Sequence, residues 1–363
     1  MYDIAIVGAG PAGAALARLV GTQYKVLLVD KRPLQEKVEI THTGKPCGGL
    51  LAPDAQQVLG EMGLALPHSV LVSPQLFVVR TFDLRAGLER YYQRFYLNMN
   101  REAFDRWLVS LVPPGVEVRT DVVVKSVGPV EGGFDITLAH RGREYRERAR
   151  LLVGADGANS LVRKQLFPGQ PVPSYVAVQE WFRVEEALPY FTAIFDDRLT
   201  DFYAWTIPKE GYLLLGAALP PKRDPQTRFE VLKRELSARG FDLRRRVKRE
   251  GCFILRPGSP AQVVHGTDRA ILIGEAAGWI SPSSAEGFSY AFRSARALAE
   301  ALEGGLEGAA ERYRRKTRDL CLNLIMKNLK SPFMYQPQLR GMVMRSGLMS
   351  TRVRDGDGSS NRP

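Results

Sequence analysis

The feature that most constrains the fold stands at the start of the chain. The alternating pattern of Tyr2 to Val7 predicts a short buried strand. The strand is followed by the turn Gly8-Ala9-Gly10-Pro11-Ala12-Gly13 and then by the helical pattern of Ala14 to Val20. A second strand, Tyr24 to Val29, ends in Asp30. Strand, glycine turn, helix, strand and terminal acid together predict a Rossmann-like β-α-β unit that binds a dinucleotide.

Each glycine of this turn has a separate physical role. Gly8 permits the tight turn, Gly10 lets a pyrophosphate approach the backbone, and Gly13 lets the helix pack closely on the sheet. The helix N-terminus then faces the phosphates with free N–H groups and about half a positive charge. Asp30 can accept hydrogen bonds from a ribose hydroxyl. A glycine-rich turn in an ordinary α/β domain is the alternative interpretation.

Three later segments combine a helix start or strand end with residues of a kind that contact nucleotide cofactors. The first segment predicts a helix that is capped by an Asn. The second predicts a strand, an Asp-Gly turn and then a helix ending in Val-Arg. The third predicts a strand that ends in Gly-Glu, before another helix begins. In chain order they are Asn100 to Leu108, with Arg101; Leu151 to Arg163, with Asp156 and Gly157; and Arg269 to Gly278, with Gly274 and Glu275, followed by Gly287 and Phe288.

In this order, the segments resemble the fingerprints of flavin hydroxylase-like proteins. A further turn, Cys47-Gly48-Gly49, resembles the one that separates geranylgeranyl reductases from aromatic flavin hydroxylases. The chain is therefore identified as a member of the geranylgeranyl reductase family of FAD-dependent oxidoreductases. Its Glu275 is a departure, because most relatives carry Asp there.

The resemblance implies an α/β fold with a Rossmann-like FAD/NAD(P)-binding domain of the p-hydroxybenzoate hydroxylase-like type. It also implies an inserted substrate domain of α+β type with an antiparallel sheet, and C-terminal helices. Period-two stretches rich in β-branched and aromatic residues favour the inserted sheet. The expected boundaries are 1–69, 98–170 and 265–305 for the discontinuous FAD-binding domain, 70–97 and 171–264 for the substrate domain, 306–349 for the helical segment, and 350–363 for a flexible tail.

The resemblance further implies which residues contact FAD. Arg101 would reach the pyrophosphate, Asp156 would shape the turn near it, and Glu275 would face the ribityl hydroxyls. The helix opened by Phe288 would direct its positive end toward the reduced flavin. The full expected set is Gly8, Gly10, Ala12, Gly13, Asp30, Lys31, Cys47, Gly48, Gly49, Arg101, Val124, Asp156, Gly157, Gly274, Glu275, Gly287 and Phe288.

The segment from Asp201 to Lys209 resembles the family's Tyr-x-Trp-x-Phe-Pro motif, which in relatives lines the cavity for an isoprenoid chain. Tyr203 and Trp205 alternate along a strand and therefore face the same side. Ile207 stands where the family has Phe, and plain sheet packing is the alternative role of the two aromatic residues. Basic residues that could hold a diphosphate are Lys209, Lys222 and Arg223.

The leading hypothesis is that reduced FAD passes hydride from N5 to a carbon–carbon double bond of a prenyl or polyprenyl lipid. Cys47, Tyr203 and Trp205 are the candidate catalytic residues. An ordinary thiol is a weak acid, so Cys47 would need a pre-organised site to donate a proton. With one Rossmann fingerprint in the chain, NAD(P)H or another external donor would dock only transiently.

Two other functions remain open. Tyr-Ala-Trp-Thr-Ile-Pro is also similar to the Trp-x-Trp-x-Ile-Pro string of flavin halogenases, so a monooxygenase or halogenase acting on an aromatic or other small molecule is one of them. The other is a regulatory flavoprotein that binds lipid diphosphates without turnover.

The amino-acid composition limits which cellular compartment and which binding partners we expect for this protein. Three widely spaced cysteines, Cys47, Cys252 and Cys321, fit neither a disulfide framework nor a zinc site, so we expect a cytoplasmic protein without a metal. With no second cysteine nearby in sequence, a dithiol relay at Cys47 is not expected. The formal net charge of +12 suits an anionic membrane surface or phosphorylated ligands. Without a zinc finger or helix-turn-helix signature, we expect no nucleic-acid partner.

The carboxyl-terminal part predicts a helix from Gly308 to Leu329 that Pro332 stops, and then a basic, Met-rich segment from Gln338 to Met349. This second segment either rests peripherally on the inner face of an anionic membrane or packs over the cofactor domain. The sequence does not indicate an oligomeric state.

Overall fold

A computed structural model describes residues 1–34, 44–186, 188–267 and 269–353. The strands are β1 (Tyr2–Val7), β2 (Val26–Val29), β3 (Leu50–Leu51), β4 (Leu76–Asp83), β5 (Leu88–Asn98), β6 (Glu117–Arg119), β7 (Val123–Val130), β8 (Gly133–His140), β9 (Arg143–Gly154), β10 (Ser174–Arg183), β11 (Phe191–Phe195), β12 (Ala204–Lys209), β13 (Tyr212–Leu219), β14 (Arg246–Leu255), β15 (Gly266–Thr267) and β16 (Ala270–Leu272). The helices are α1 (Pro11–Val20), α2 (Pro53–Glu61), α3 (Arg101–Ser110), α4 (Leu161–Leu166), α5 (Pro225–Ser237), α6 (Gly274–Ala277), α7 (Phe288–Leu302), α8 (Ala309–Lys316), α9 (Arg318–Tyr335) and α10 (Pro337–Ser346).

The first sheet is centred on β1, whose apolar residues are buried as the sequence predicts. β1 pairs in parallel with β2 on one side and with the second half of β9 on the other. The sheet continues in parallel to β16 on one side and to β6 on the other, and β15 pairs antiparallel with β16 beyond it. The first half of β9 pairs antiparallel with β8. Parallel strands meet at their carboxyl ends, so the loops after β1, β2, β9 and β16 converge on one edge.

The second sheet has the order β14-β10-β13-β12-β11-β4-β5-β3. It is antiparallel as expected, except that β4 and β11 pair in parallel. These two strands come from separate insertions in the chain, so no hairpin forces them to run in opposite directions. β3 lies before residue 70 but pairs with β5, so a short piece of the expected first domain completes this sheet.

Helix α4 corrects one sequence expectation. We predicted a helix ending in Val162-Arg163, but α4 begins at Leu161 and contains both residues in its first turn. The reason is a cap: the side-chain oxygen of Ser160 accepts a hydrogen bond from the N–H of Arg163 at 2.9 Å. The Arg163 guanidinium donates to the carbonyl oxygens of Ala158 and Ala276, and so ties this turn to α6.

The carboxyl-terminal helices also differ from expectation. The single helix predicted up to Pro332 is divided into α8 and α9 at Thr317, whose hydroxyl bonds the carbonyl oxygens of Tyr313 and Arg314 and so ends the first of them. The prediction that Pro332 ends the helix is wrong, because α9 continues through it to Tyr335. The phenol of Tyr335 donates to the carbonyl oxygen of Ser283 at 2.5 Å, which holds the last turn in place.

Helix α10 covers the substrate sheet rather than the cofactor domain. Its Arg340 is buried and donates to the Asp83 carboxylate at 2.8 Å, and Arg90 donates to the carbonyl oxygen of Met344. Of the expected tail, 350–353 are described and Thr351 bonds Tyr91, while 354–363 lie outside the described residues. Within the described ranges, no helix has the length and apolar character needed to cross a bilayer.

Candidate active site

The glycine turn leaves space where a phosphate would bind. A Cβ at Gly8 would lie 2.6 Å from the carbonyl oxygen of Ala155, and one at Gly13 would lie 1.8 Å from that of Gly8. At Gly10, by contrast, a Cβ would meet no atom of the described residues within 4 Å apart from its chain neighbours. Gly10 caps α1 without a side-chain hydrogen bond, so the first N–H groups of the helix border this open space. The turn therefore fits a dinucleotide diphosphate.

A charged network connects the end of β2 to α3. The buried carboxylate of Asp30 accepts hydrogen bonds from the N–H of Ala9 at 2.8 Å and from the backbone and side chain of Arg32. Arg32 also bonds Asp105 at 2.6 Å, and Asp105 accepts from Arg101 at 2.9 Å. Burial opposes the charge on Arg32, but the carboxylates of Asp105 and Asp30 together outweigh it and raise the pKa of Arg32. The network holds Arg101 on the side of the glycine turn.

Residues from the separate sequence fingerprints meet here. The guanidinium of Arg101, which is 6% exposed, lies 4.9 Å from the ring centroid of Phe288 at the start of α7. A Cβ at Gly274 would lie 2.8 Å from that of Ala12 in α1. The N–H of Val122 donates to the carbonyl oxygen of Asp30, which brings the start of β7 to the end of β2. The expected FAD contacts of exposed Lys31, of half-buried Val124 and of Gly287, the N-cap of α7, stay predictions.

Asp156 carries an acceptor atom that a ligand could use. One carboxylate oxygen accepts hydrogen bonds from the N–H groups of Leu161 and Val162, at 2.6 and 3.3 Å. The other is buried and has no hydrogen-bond partner among the residues that the structure describes. Burial raises the pKa of Asp156 despite the hydrogen bonds. Such an atom is costly to leave unpaired, so Asp156 fits a donor from a bound cofactor. The φ of +77° at neighbouring Gly157 suits glycine.

Glu275 is already engaged by protein groups. One carboxylate oxygen accepts the N–H of Leu255 at 3.1 Å, and the other pairs with Lys45 at 3.2 Å. Burial would lower the pKa of Lys45, but the charge of Glu275 raises it. The longer side chain of Glu275 thus allows it to contact Leu255 at the end of β14 and Lys45 in the segment before Cys47. Its expected contact with the ribityl chain stays a prediction.

The Cys-Gly-Gly turn packs on strand β12. A Cβ at Gly48 would lie 2.7 Å from the side chain of Ile207, and one at Gly49 would lie 2.8 Å from the ammonium of Lys209. Gly49 has a φ of +60°, which a side chain would strain. Cys47 is near enough to Tyr203 and Lys209 for a thiolate there to raise their pKa values. The structure therefore brings together the two motifs by which the sequence resembles geranylgeranyl reductases.

Lys209 is the residue that sequence reasoning misjudged. We named it as a possible diphosphate ligand, but it is 2% exposed and donates to the side-chain oxygen of Asn98 at 2.7 Å and to the carbonyl oxygens of Met99 and Gly49 at 2.8 and 3.4 Å. All three acceptors are neutral, so burial lowers the pKa of Lys209 to about 7. The sequence around Lys209, which directly follows the Trp-x-Ile-Pro string, did not indicate that its side chain is buried.

Tyr203 and Trp205 do share one face, with ring centroids 5.4 Å apart. The phenol of Tyr203 donates to the carbonyl oxygen of Ser284 at 2.7 Å, and burial raises its pKa. The indole N–H of Trp205 donates to Gln179 at 3.3 Å. Phe195, Phe202 and Tyr335 pack around them. This aromatic cluster joins β11, β12 and the end of α9, and the cavity for an isoprenoid chain that the resemblance implies stays a prediction.

A second cysteine lies beside the turn in space, although it is far from Cys47 in sequence. The thiol of Cys252 on β14 reaches the carbonyl oxygen of Pro46 at 3.5 Å, and all three cysteines are free. Burial raises the pKa of Cys252 to about 12 and also raises that of Cys321. The sequence spacing of 205 residues between Cys47 and Cys252 concealed this proximity.

The thiols should differ in reactivity. At pH 8 a thiol of pKa about 12 is ionised to only about one part in ten thousand, and the thiolate is the nucleophile. We therefore expect iodoacetamide to label Cys47 before Cys252 in the folded protein, as measured by mass spectrometry of the peptides. In urea all three cysteines should label at similar rates. Equal rates for Cys252 in the folded and unfolded chains would contradict its raised pKa.

Comparison with known proteins gives the family. Residues 1–242 match the FAD binding domain family. The chain belongs to this family. It is also 46% identical over 347 residues to protein CbrA of Escherichia coli O6:H1, an alignment that covers 96% of this chain and 94% of the relative. FAD as cofactor and the oxidoreductase class, both expected from the sequence, are thereby confirmed.

Solved structures confirm the fold of this flavoprotein. A geranylgeranyl bacteriochlorophyll reductase-like protein from Thermoplasma acidophilum superposes with a TM-score of 0.76 at 17% identity, covering 95% of this chain and 98% of that one. Halogenase PltM with FAD superposes with a TM-score of 0.66 at 16% identity, covering 90% and 75%. The p-hydroxybenzoate hydroxylase-like architecture with its C-terminal helices is therefore correct.

Proposed function

We propose that this flavoprotein reduces carbon–carbon double bonds of a prenyl or polyprenyl lipid, with electrons from NAD(P)H or another external donor. The observation that carries the proposal is the packing of the Cys47-Gly48-Gly49 turn on β12, next to Tyr203. Bound FAD would supply hydride to the substrate. The likeness in fold to the geranylgeranyl bacteriochlorophyll reductase-like protein also favours this reaction over the alternatives.

The residues of the chain have defined tasks in this proposal. The aromatic cluster around Tyr203 and Trp205 would bind the hydrocarbon and exclude water. An isolated alkene accepts hydride poorly, so a proton must arrive with it. Cys47 would donate that proton, and Lys209, whose pKa is about 7, is the nearby group suited to replace it at neutral pH. Lys209 thus supplies the acid that the sequence did not reveal.

The test is reduction of a defined lipid. The flavin of the purified holoenzyme is reduced anaerobically, and the enzyme is incubated with geranylgeranyl diphosphate and with a longer prenyl lipid. The masses of the products are then measured by mass spectrometry. We expect a gain of about two mass units for each double bond reduced. Cys47→Ser should slow the gain while Cys321→Ser, the matched control on α9, should not. Lipids of unchanged mass in every reaction would overturn the proposal.

A monooxygenase or halogenase is the second candidate. It is favoured by Ile207-Pro208, which matches the halogenase string, and by the superposition on PltM. Oxygen consumption with incorporation of oxygen or halide into an aromatic substrate would support it. Tight lipid-diphosphate binding without turnover, unaffected by Cys47→Ser, would instead support the regulatory flavoprotein.

A further inference from the structure

Helix α9 carries an apolar stripe on its outer face. The stripe residues recur every three or four positions, with Ile325 and Met326 adjacent at the middle turn, so they lie on one side of the helix. They are exposed although large and hydrophobic, with Leu322 at 60%, Leu329 at 63% and Phe333 at 54%. The full stripe is Leu322, Ile325, Met326, Leu329 and Phe333. A contiguous apolar surface of this kind marks an interaction site.

The opposite face of α9 is firmly attached to the protein. Leu320 and Leu324 are buried in the core of the first sheet. Tyr290 donates to Asn323 at 2.6 Å, and Lys327 pairs with Asp54 at 3.0 Å. The helix therefore cannot turn its stripe inward without breaking these contacts. Its last residue, Tyr335, belongs to the aromatic cluster, so the stripe and the candidate substrate site lie on two sides of one helix.

The charge around the stripe is strongly positive. Residues 309–353 contain ten Lys and Arg against two Asp and Glu, a net +8 of the chain's +12, although Arg340 is buried against Asp83 and Lys327 pairs with Asp54. Arg318 and Lys330 are exposed on α9 itself, and Arg314 and Arg315 are exposed on α8 just before it. A second copy of the chain would bring a like charge to this surface, whereas anionic lipid would bring the opposite charge. The described residues after α10, up to Val353, are too few to cover the stripe.

We propose that the α9 stripe docks this protein peripherally on an anionic lipid bilayer, with the apolar residues among the acyl chains and the basic residues at the phosphates. The docked surface is α9, not the segment from Gln338 to Met349 that the sequence indicated. An apolar helix face flanked by Lys and Arg binds lipid by burying apolar area and by attracting anionic head groups. This goes beyond the proposed reaction and holds whether or not a prenyl lipid is the substrate.

The experiment is flotation of the purified holoenzyme with vesicles of phosphatidylcholine alone or with phosphatidylglycerol added. We expect binding to the anionic vesicles that weakens as salt rises. The double variant Leu329→Ser/Phe333→Ser should bind them at least about tenfold more weakly, because it loses two buried apolar side chains. The matched control is Phe253→Ser, an exposed aromatic on β14 outside the stripe, which should bind like the parent protein.

Two outcomes would overturn the proposal. One is equal vesicle binding by the parent and the Leu329→Ser/Phe333→Ser variant, because the stripe would then not be the docking surface. The other is a parent protein that ignores vesicles and forms a dimer by light scattering, which the variant converts to monomer. That result would assign the stripe to a second copy of the chain. Flavin content and unfolding midpoint, measured for each variant, exclude misfolding as the cause.

Discussion

Gly10→Val is expected to abolish practical FAD binding while leaving the apoprotein folded. A Cβ built on Gly10 would have no atom of the described residues within 4 Å apart from its chain neighbours, so a side chain has room there, and the backbone angles of Gly10 are allowed for any residue. The same space is where the diphosphate must approach the N-terminus of α1. We expect FAD affinity to fall at least about 100-fold, or about 2.7 kcal/mol, as measured by quenching of flavin fluorescence on titration.

The matched control for this prediction is Gly60→Val. A Cβ built on Gly60 would likewise meet no other part of the described chain within 4 Å, but Gly60 lies in α2 and not in the glycine turn. Both variants should keep the free energy of unfolding of the apoprotein within about 1 kcal/mol in urea, and only Gly10→Val should lose FAD. Retained FAD affinity in Gly10→Val would show that the diphosphate lies elsewhere. Unfolding of its apoprotein would show that the space is not free.

Lys209→Met is expected to remove a large part of the pH dependence of stability. An unfolded lysine has a pKa near 10.5, while burial lowers that of Lys209 to about 7 in the folded protein. Between these values the unfolded chain binds more protons, so the free energy of unfolding rises as the pH rises through this window. The gain for the parent protein is up to about 4 kcal/mol between pH 7 and pH 10.5. Because methionine does not titrate, the Lys209→Met variant should not show this rise in the free energy of unfolding.

At pH 7 the same substitution should change stability much less. It removes three hydrogen bonds of about 1 kcal/mol each, but it also relieves the cost of burying an ammonium group. Urea unfolding at a series of pH values measures both effects. The exposed Lys222→Met provides the control and should keep the slope of the parent protein. Parallel curves for the parent and Lys209→Met would mean that the buried amine titrates normally.

Local patterns predicted local structure well. The strand of Tyr2–Val7, the glycine turn, the cap by Asn100 and the helix start at Phe288 all appear where the sequence indicated. Each depends on hydrogen bonds or backbone angles within a few residues, which neighbouring side chains control. The two wrong predictions of a helix end, at Val162-Arg163 and at Pro332, were also made from local patterns. They arose because a Ser160 cap and a distant contact of Tyr335 decided where the helices begin and end.

The sequence by itself determined the family, the fold class and the cofactor, because the glycine turn and the fingerprint segments are short local patterns that are visible in the chain. Only the tertiary structure decided which residues become neighbours across the two sheets. It placed Cys252 beside the turn of Cys47, paired Lys45 with Glu275 and buried Lys209 under Gly49. These contacts join strands that are far apart in the chain, so their energies depend on packing and burial that no local pattern records.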